Sequence, residues 1–404
     1  MSELQLSETE NAALQRALQE GSSVQQYRVE AILFAAEGKT LNEIAEMIPL
    51  RVGQISYWLR RFTAERTDLF APTDDLSDST SSAATPISRP DIATSSKAKP
   101  DISADDPMSE AGRKIMAYYL ARLLNQERAV RDGDQTEAIH DMRVASRRLR
   151  SALEIFGSYY KERALKPIRK NLRRIGKTLG AVRDLEVVLN RAHEYAQDLE
   201  PVPQESIRAL LTQWQSQLDE ARQQLLEELD SQRYANFLTG FAEFVNTPNL
   251  DAIRLDSEKP KPYFVRDVVP LLVYERYADA MAYGPVFRGA SLDTIHALRI
   301  EAKGLRYTLE AFEAVLGPEA KTVIEAAKLL QEQLGHLQDE RVIASLIQQF
   351  IREAGEYEPL ADVLQYLAVI EAGKVKLLET LAADWSAFSD PAVRKALNAA
   401  VAAL

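Results

Sequence analysis

Four side chains in one short stretch could act together on an anion. His140, Arg143, Arg147 and Arg150 follow one another at intervals of three, four and three residues. On an α-helix each residue advances about 100°, so that spacing gathers all four within an arc of about 80°. Met142, Leu149, Leu153 and Phe156 cluster on another side, so the helix would bury one face and present cations on a second. A further cationic series follows at Lys166, Lys170, Arg173, Arg174 and Lys177, set against apolar Ile168, Leu172, Ile175 and Leu179. Residues 140–191 hold 14 Lys+Arg against 5 Asp+Glu, although the whole chain carries a net charge of −11. Exposed helices ordinarily mix signs, because opposite charges four residues apart attract and like charges repel. An accumulation of one sign therefore points to a polyanionic partner, phosphate above all: arginine forks grip two oxygens at once and lysines act as point charges.

The elements that must position these residues are repeated. Residues 139–156, IHDMRVASRRLRSALEIF, align with 295–312, IHALRIEAKGLRYTLEAF. The second copy keeps His296, Arg299, Lys303 and Arg306 at the places of His140, Arg143, Arg147 and Arg150. It keeps them in surroundings that are not basic, since residues 296–347 hold 6 Lys+Arg against 8 Asp+Glu. Further on, LGAVRD at 179–184 answers LGHLQD at 334–339. Two copies of a four-helix set, about 108–250 and 262–404, explain the pattern: an all-α unit made of two bundles related by a pseudo-twofold axis.

The paired His-x-x-Arg helices, with Leu-Gly-x-x-Arg-Asp184 after the first, resemble the CHAD family, the conserved histidine α-helical domain, over about 108–390. The resemblance implies the symmetric pair of four-helix bundles and a site for inorganic polyphosphate. In the first copy it implies His140, Arg143, Arg147, Arg150, Lys170, Arg173 and Lys177, and in the second His296, Arg299, Lys303 and Arg306. Lys166 and Arg174 join them on the helical-wheel reading. Glu325 and Glu332 stand where the first copy has Lys170 and Lys177, leaving Lys328 opposite Arg173, so an asymmetric site dominated by the first copy is expected. A polyphosphate carries about one negative charge per phosphate and offers no bases to stack on, which suits stripes free of aromatic residues. Tyr307 flanks the second stripe. A histidine beside such a polyanion gains a proton, so affinity should rise as pH falls.

The remainder of the chain divides around residues 71–107, where Ser, Thr, Pro and Asp fill 24 of 37 positions. Such a segment buries too little apolar surface to offset its ordering entropy, and it reads as a disordered linker spanning roughly 35 Å. Residues 1–70 before it read as short helices. Thr40-Leu-Asn-Glu43 is a capping-box pattern opening a helix over 41–47. A third helix near 52–64 completes what resembles a helix-turn-helix. Arg51, Gln54, Tyr57, Arg60 and Arg61 would face outward from it towards DNA, an alternative in which the larger unit senses polyphosphate for a regulator. A plain three-helix module for protein contacts remains open, because residues 20–70 hold 6 basic against 7 acidic side chains.

Catalytic signals are thin. The chain has no cysteine, no phosphate-binding Walker loop and no His-Glu-x-x-His pattern. Of its four histidines, His140, His193, His296 and His336, the repeat-related His140 and His296 lie among arginines and the carboxylate-rich set of a metal site is missing, so no metal or other cofactor is expected and the protein reads as a binder, not an enzyme. The start lacks the basic and apolar regions of a signal peptide, and no run of about 18 apolar residues occurs. The expectation is a cytoplasmic protein without a membrane segment, one that polyphosphate granules could recruit. Oligomeric state stays open.

Overall fold

The computed structural model describes residues 6–20, 23–48, the positions 55, 58–59 and 62–63, and 99–404 apart from 133–134, 198, 200–204, 255, 257, 259 and 355–359. Its described residues form thirteen α-helices and no strand beyond two isolated bridges. Three short helices come first: α1 (Glu8–Glu20), α2 (Ser23–Ala36) and α3 (Leu41–Met47). Leu14, Val29 and Ile32 pack with Phe62, and Ala31 and Ile44 with Ile48 and Ile55. The capping box forms as expected: Glu43 N donates to Thr40 Oγ1 at 3.4 Å, and Thr40 N donates to the Glu43 carboxylate at 2.7 Å. Those two bonds satisfy backbone donors that a helix start otherwise leaves unpaired.

The C-terminal unit holds ten helices in two sets of five. The first set is α4 (Met108–Asp132), α5 (Gln135–Phe156), α6 (Glu162–Gln197), α7 (Glu205–Leu229) and α8 (Gln232–Asn246). The second is α9 (Val265–Met281), α10 (Leu292–Ala311), α11 (Ala320–Glu353), α12 (Ala361–Phe388) and α13 (Pro391–Val401). Each set is thus a bundle of four longer helices closed by a short fifth, which packs back on the first: α8 on α4, α13 on α9. Across the junction every long helix meets its own counterpart, α4 with α9, α5 with α10, α6 with α11 and α7 with α12. That self-complementary pairing is what a twofold relation requires.

Equivalent aromatic residues mark the axis. Phe156 and Phe312 end α5 and follow α10, fully buried, with ring centroids 5.5 Å apart. Gly112 on α4 makes room for them, since a β-carbon there would lie 2.7 Å from Phe156 Cγ. The helices run in amphipathic register beneath: Leu165, Ile168, Leu172, Ile175 and Leu179 give α6 one continuous buried face.

The linker stops earlier than its composition suggests. Residues 99–107 are fastened to the C-terminal unit: Met108 N donates to Tyr263 O at 2.9 Å, Val265 N to Asp106 O at 3.0 Å and Arg266 N to Ala104 O at 3.0 Å. Ion pairs Lys99–Glu313 and Lys114–Asp106, both 2.8 Å, reinforce the attachment. A polar segment with few apolar side chains is held here through its backbone groups, which composition does not register. Residues 71–98 lie outside the described residues.

Candidate anion-binding site

The cationic stripe of α5 and its counterpart on α10 do not face separate surfaces. Because α5 packs on α10 across the pseudo-twofold axis, both stripes enter the seam between the repeats. Their proton affinities record the meeting. Burial holds the Lys303 ammonium below its ordinary value; the Arg147 charge adds to that, Glu154 opposes it, and Arg299 and Arg150 depress it further. Arg299 is likewise lowered by burial, supported by Asp339, and pressed by Arg147 and Arg143 from the other repeat. Arg306 is lowered by burial, with Tyr307 opposing and Arg148 and Arg147 adding. Cations of both repeats therefore share one half-buried space. The Nε atoms of Arg147 and Arg299 are buried there without hydrogen-bond partners, as are Ser146 Oγ and Tyr307 Oη. Buried polar atoms are nearly always paired, so such a concentration of orphans on two facing helices distinguishes a site from ordinary packing.

The two stripe helices are held close to their neighbours by glycines. Gly176 on α6 lies against α5, where a β-carbon would stand 3.6 Å from Ser146 Oγ and 3.7 Å from Arg150 Nη1. Gly335 on α11 plays the same part towards Arg299, at 3.8 Å. Arg150 thereby reaches over α6 beside the turn that carries Arg173 and Lys177, which extends the positive surface from the seam onto α6. Lys166, Lys170, Arg173 and Lys177 are all exposed and make no ion pair among the described residues.

Not every cation joins. Arg174, counted with the stripe on the helical wheel, turns to α7 and pairs with the buried Glu228 at 2.7 Å, a carboxylate it shares with Arg233. Its charge is spent inside the first bundle, so it leaves the strip. Lys328 pairs with Glu325 at 3.3 Å, which cancels the one cation that α11 offers opposite Arg173. Arg143 is oriented by Asp184 at 3.1 Å. His140 is half-buried and its imidazole is held below its ordinary value by burial, then by Arg183, with Glu137 and Asp141 opposing. His296 donates from Nδ1 to Gln338 Oε1 at 3.1 Å, which leaves Nε2 for a ligand. His193 and His336 are exposed, and among the described residues no group of three or more His, Asp or Glu stands close enough to hold a metal ion.

Sequence reasoning missed Arg148 and Glu310, which pair with each other across the repeats, and Arg183 beside His140. On the α5 wheel Arg148 falls well away from the stripe. Only the docking of α10 brings it to the seam, and no periodicity within one helix carries that information. Arg51, Gln54, Tyr57, Arg60 and Arg61 lie outside the described residues.

Comparison with known proteins adds to this geometry. The family model described as the CHAD domain matches residues 114–348. Two uncharacterised proteins from two strains of Mycobacterium tuberculosis are each 31% identical over 272 residues, 62% of this chain and 48% of the relative, so the chain spans about half the length of the curated relatives it matches. Among solved structures, the CHAD domain of the plant Ricinus communis is similar with a TM-score of 0.53 and 23% identity, covering 78% of this chain and 98% of that one. PptA from Streptomyces chartreusis is similar with a TM-score of 0.51 and 19% identity, covering 72% and 100%. At these identities the structures speak for the fold alone. Among the described residues, no helix is long and apolar enough to cross a membrane.

Proposed function

The chain belongs to the CHAD family, and from that premise we propose that it binds inorganic polyphosphate, without catalysis, in the cationic groove where the two repeats meet. The observation that carries the reading is the crowding of Arg143, Arg147 and Arg150 of one repeat with Arg299 and Lys303 of the other. Like charges forced together in partial burial cost free energy, and a polyanion recovers it by neutralising several at once. Along α6 the exposed Lys166, Lys170, Arg173 and Lys177 continue the track, so an extended chain of phosphates has contacts beyond the seam. A chain suits this layout better than a single phosphate ion, because separated cations are satisfied by linked anions whose effective concentration is high. His140 would become a donor on protonation beside the ligand.

The test is a titration of the full chain with labelled polyphosphate, competed by orthophosphate and by single-stranded DNA. Polyphosphate should bind tightest and weaken steeply with salt. Arg147→Glu combined with Arg173→Glu should lower affinity at least a hundred-fold, since each reversal adds repulsion to a lost contact. Retained binding in that variant would show that polyphosphate is held elsewhere than in this groove. Incubation of polyphosphate with the protein and Mg²⁺ should release no orthophosphate.

A further inference from the structure

An aromatic ring, that of Tyr307, lies among the cations of this seam. Tyr307 is only 2% exposed, yet its ring is surrounded by guanidinium groups rather than apolar side chains alone. Arg148 lies 4.2 Å from the ring centroid, Arg306 5.2 Å and Arg147 5.6 Å. Two of the three come from the opposite repeat. Glu310, one helical turn further along α10, takes Arg148 as an ion-pair partner and approaches Arg306 Nε at 3.4 Å. Arg147 is left with no ion pair among the described residues, and the ring is the group that borders it. The repeat-equivalent position in α5 is Ser151, so this feature exists on one side of the axis only.

Three like charges around one point repel, and long side chains so placed would swing apart unless held. An aromatic face attracts cations through its quadrupole, more strongly when water is excluded, and it does so without neutralising them. A carboxylate in the same place would hold Arg147 too, but it would cancel the charge that a phosphate needs. The ring therefore does what an acid here would defeat: it fixes the arginine and leaves its charge available. The hydroxyl contributes nothing visible to this, because Tyr307 Oη is buried without a partner.

We propose that Tyr307 is a positioning residue that holds Arg147 of the opposite repeat ready in the groove, so that phosphate binding depends on its ring and not on its hydroxyl. This rests on the groove reading above. Preorganisation of this kind acts by removing the ordering cost that the ligand would otherwise meet on binding.

The experiment compares the full-length wild type with Tyr307→Phe, Tyr307→Leu and Tyr307→Met for binding of labelled polyphosphate across a salt series. Tyr307→Phe should stay within about two-fold of wild type. Tyr307→Leu and Tyr307→Met should weaken binding about ten-fold, on the order of one partly desolvated cation–π contact. The slope of log affinity against log salt should not change, because the number of cations meeting phosphate is the same. Arginine-selective NMR supplies a readout independent of the aliphatic variants' folding: the side-chain δ protons of Arg147 and Arg148 should be shifted by the ring current in wild type and in Tyr307→Phe. Unshifted arginine protons, wild-type affinity in the aliphatic variants, a Phe variant as weak as the Leu variant, or a slope that falls with the affinity would each overturn the positioning role. A wild type that fails to bind polyphosphate at all overturns the groove reading itself, and this inference with it.

Discussion

Lys303 and Arg299 hold their charges in a half-buried seam, facing Arg147 across the repeats. In the proposed function such an arrangement trades stability for binding, since each cation is there at the expense of its solvation. Lys303→Met should therefore raise the stability of the ligand-free protein, by about 1 kcal/mol in urea unfolding, while weakening polyphosphate binding. His140 gives the pH dependence. In the free protein its proton affinity is lowered by burial and by Arg183, and phosphate would raise it. Binding then takes up a proton, so affinity should increase as pH falls from about 8 to 6, through the ordinary histidine range near 6.5. Stability of the free protein moves the other way. A histidine whose folded value lies below its unfolded one favours unfolding as pH drops through the unfolded value. Calorimetry in buffers of different ionisation enthalpy would detect the proton uptake, and its absence in His140→Asn would assign it.

At the scale of helices, the faces were legible and the partnerships were not. The three-four spacing of His140 to Arg150, opposed by Leu149, Leu153 and Phe156, states which side of α5 is buried, because that depends only on the helical repeat. The match between 139–156 and 295–312 states that α10 is built alike. The helical wheel cannot place Arg174 for a reason of the same kind: its partner Glu228 lies on α7, 54 residues away, and a wheel has no term for a neighbouring helix. Arg148, Tyr307 and Glu310 are brought together only by the docking of α5 on α10. The short helices α8 and α13, which close each bundle, add to the four helices per copy that the repeat implies. Packing at this scale makes its own prediction. Gly112 lies under Phe156 so tightly that an added β-carbon has no room, and Gly112→Ala should cost about 1–3 kcal/mol through overpacking, read as a lower urea midpoint with an unchanged slope.

For the molecule as a whole, the internal repeat has diverged in charge while keeping its shape. The long helices still meet their counterparts across the axis, but α6 displays lysines where α11 displays Glu325 and Glu332. The proposed groove is thus joint at its centre and one-sided at its periphery. Lys170→Glu with Lys177→Glu should weaken binding and flatten the salt dependence by about two units of slope, whereas Lys328→Glu, a residue already paired with Glu325, should change either quantity little. A chain with net charge −11 repels polyanions at a distance, so specificity for the groove over the rest of the surface follows from local charge alone. If the repeats build one site between them, a double-mutant cycle across the axis will register their coupling. Polyphosphate affinity and stoichiometry should be measured by calorimetry for wild type, Arg147→Gln, Lys303→Gln and the pair. One shared groove predicts a single chain bound per protein and losses in the pair that depart from the sum by more than about 0.5 kcal/mol; two chains bound per protein with strictly additive losses would contradict it.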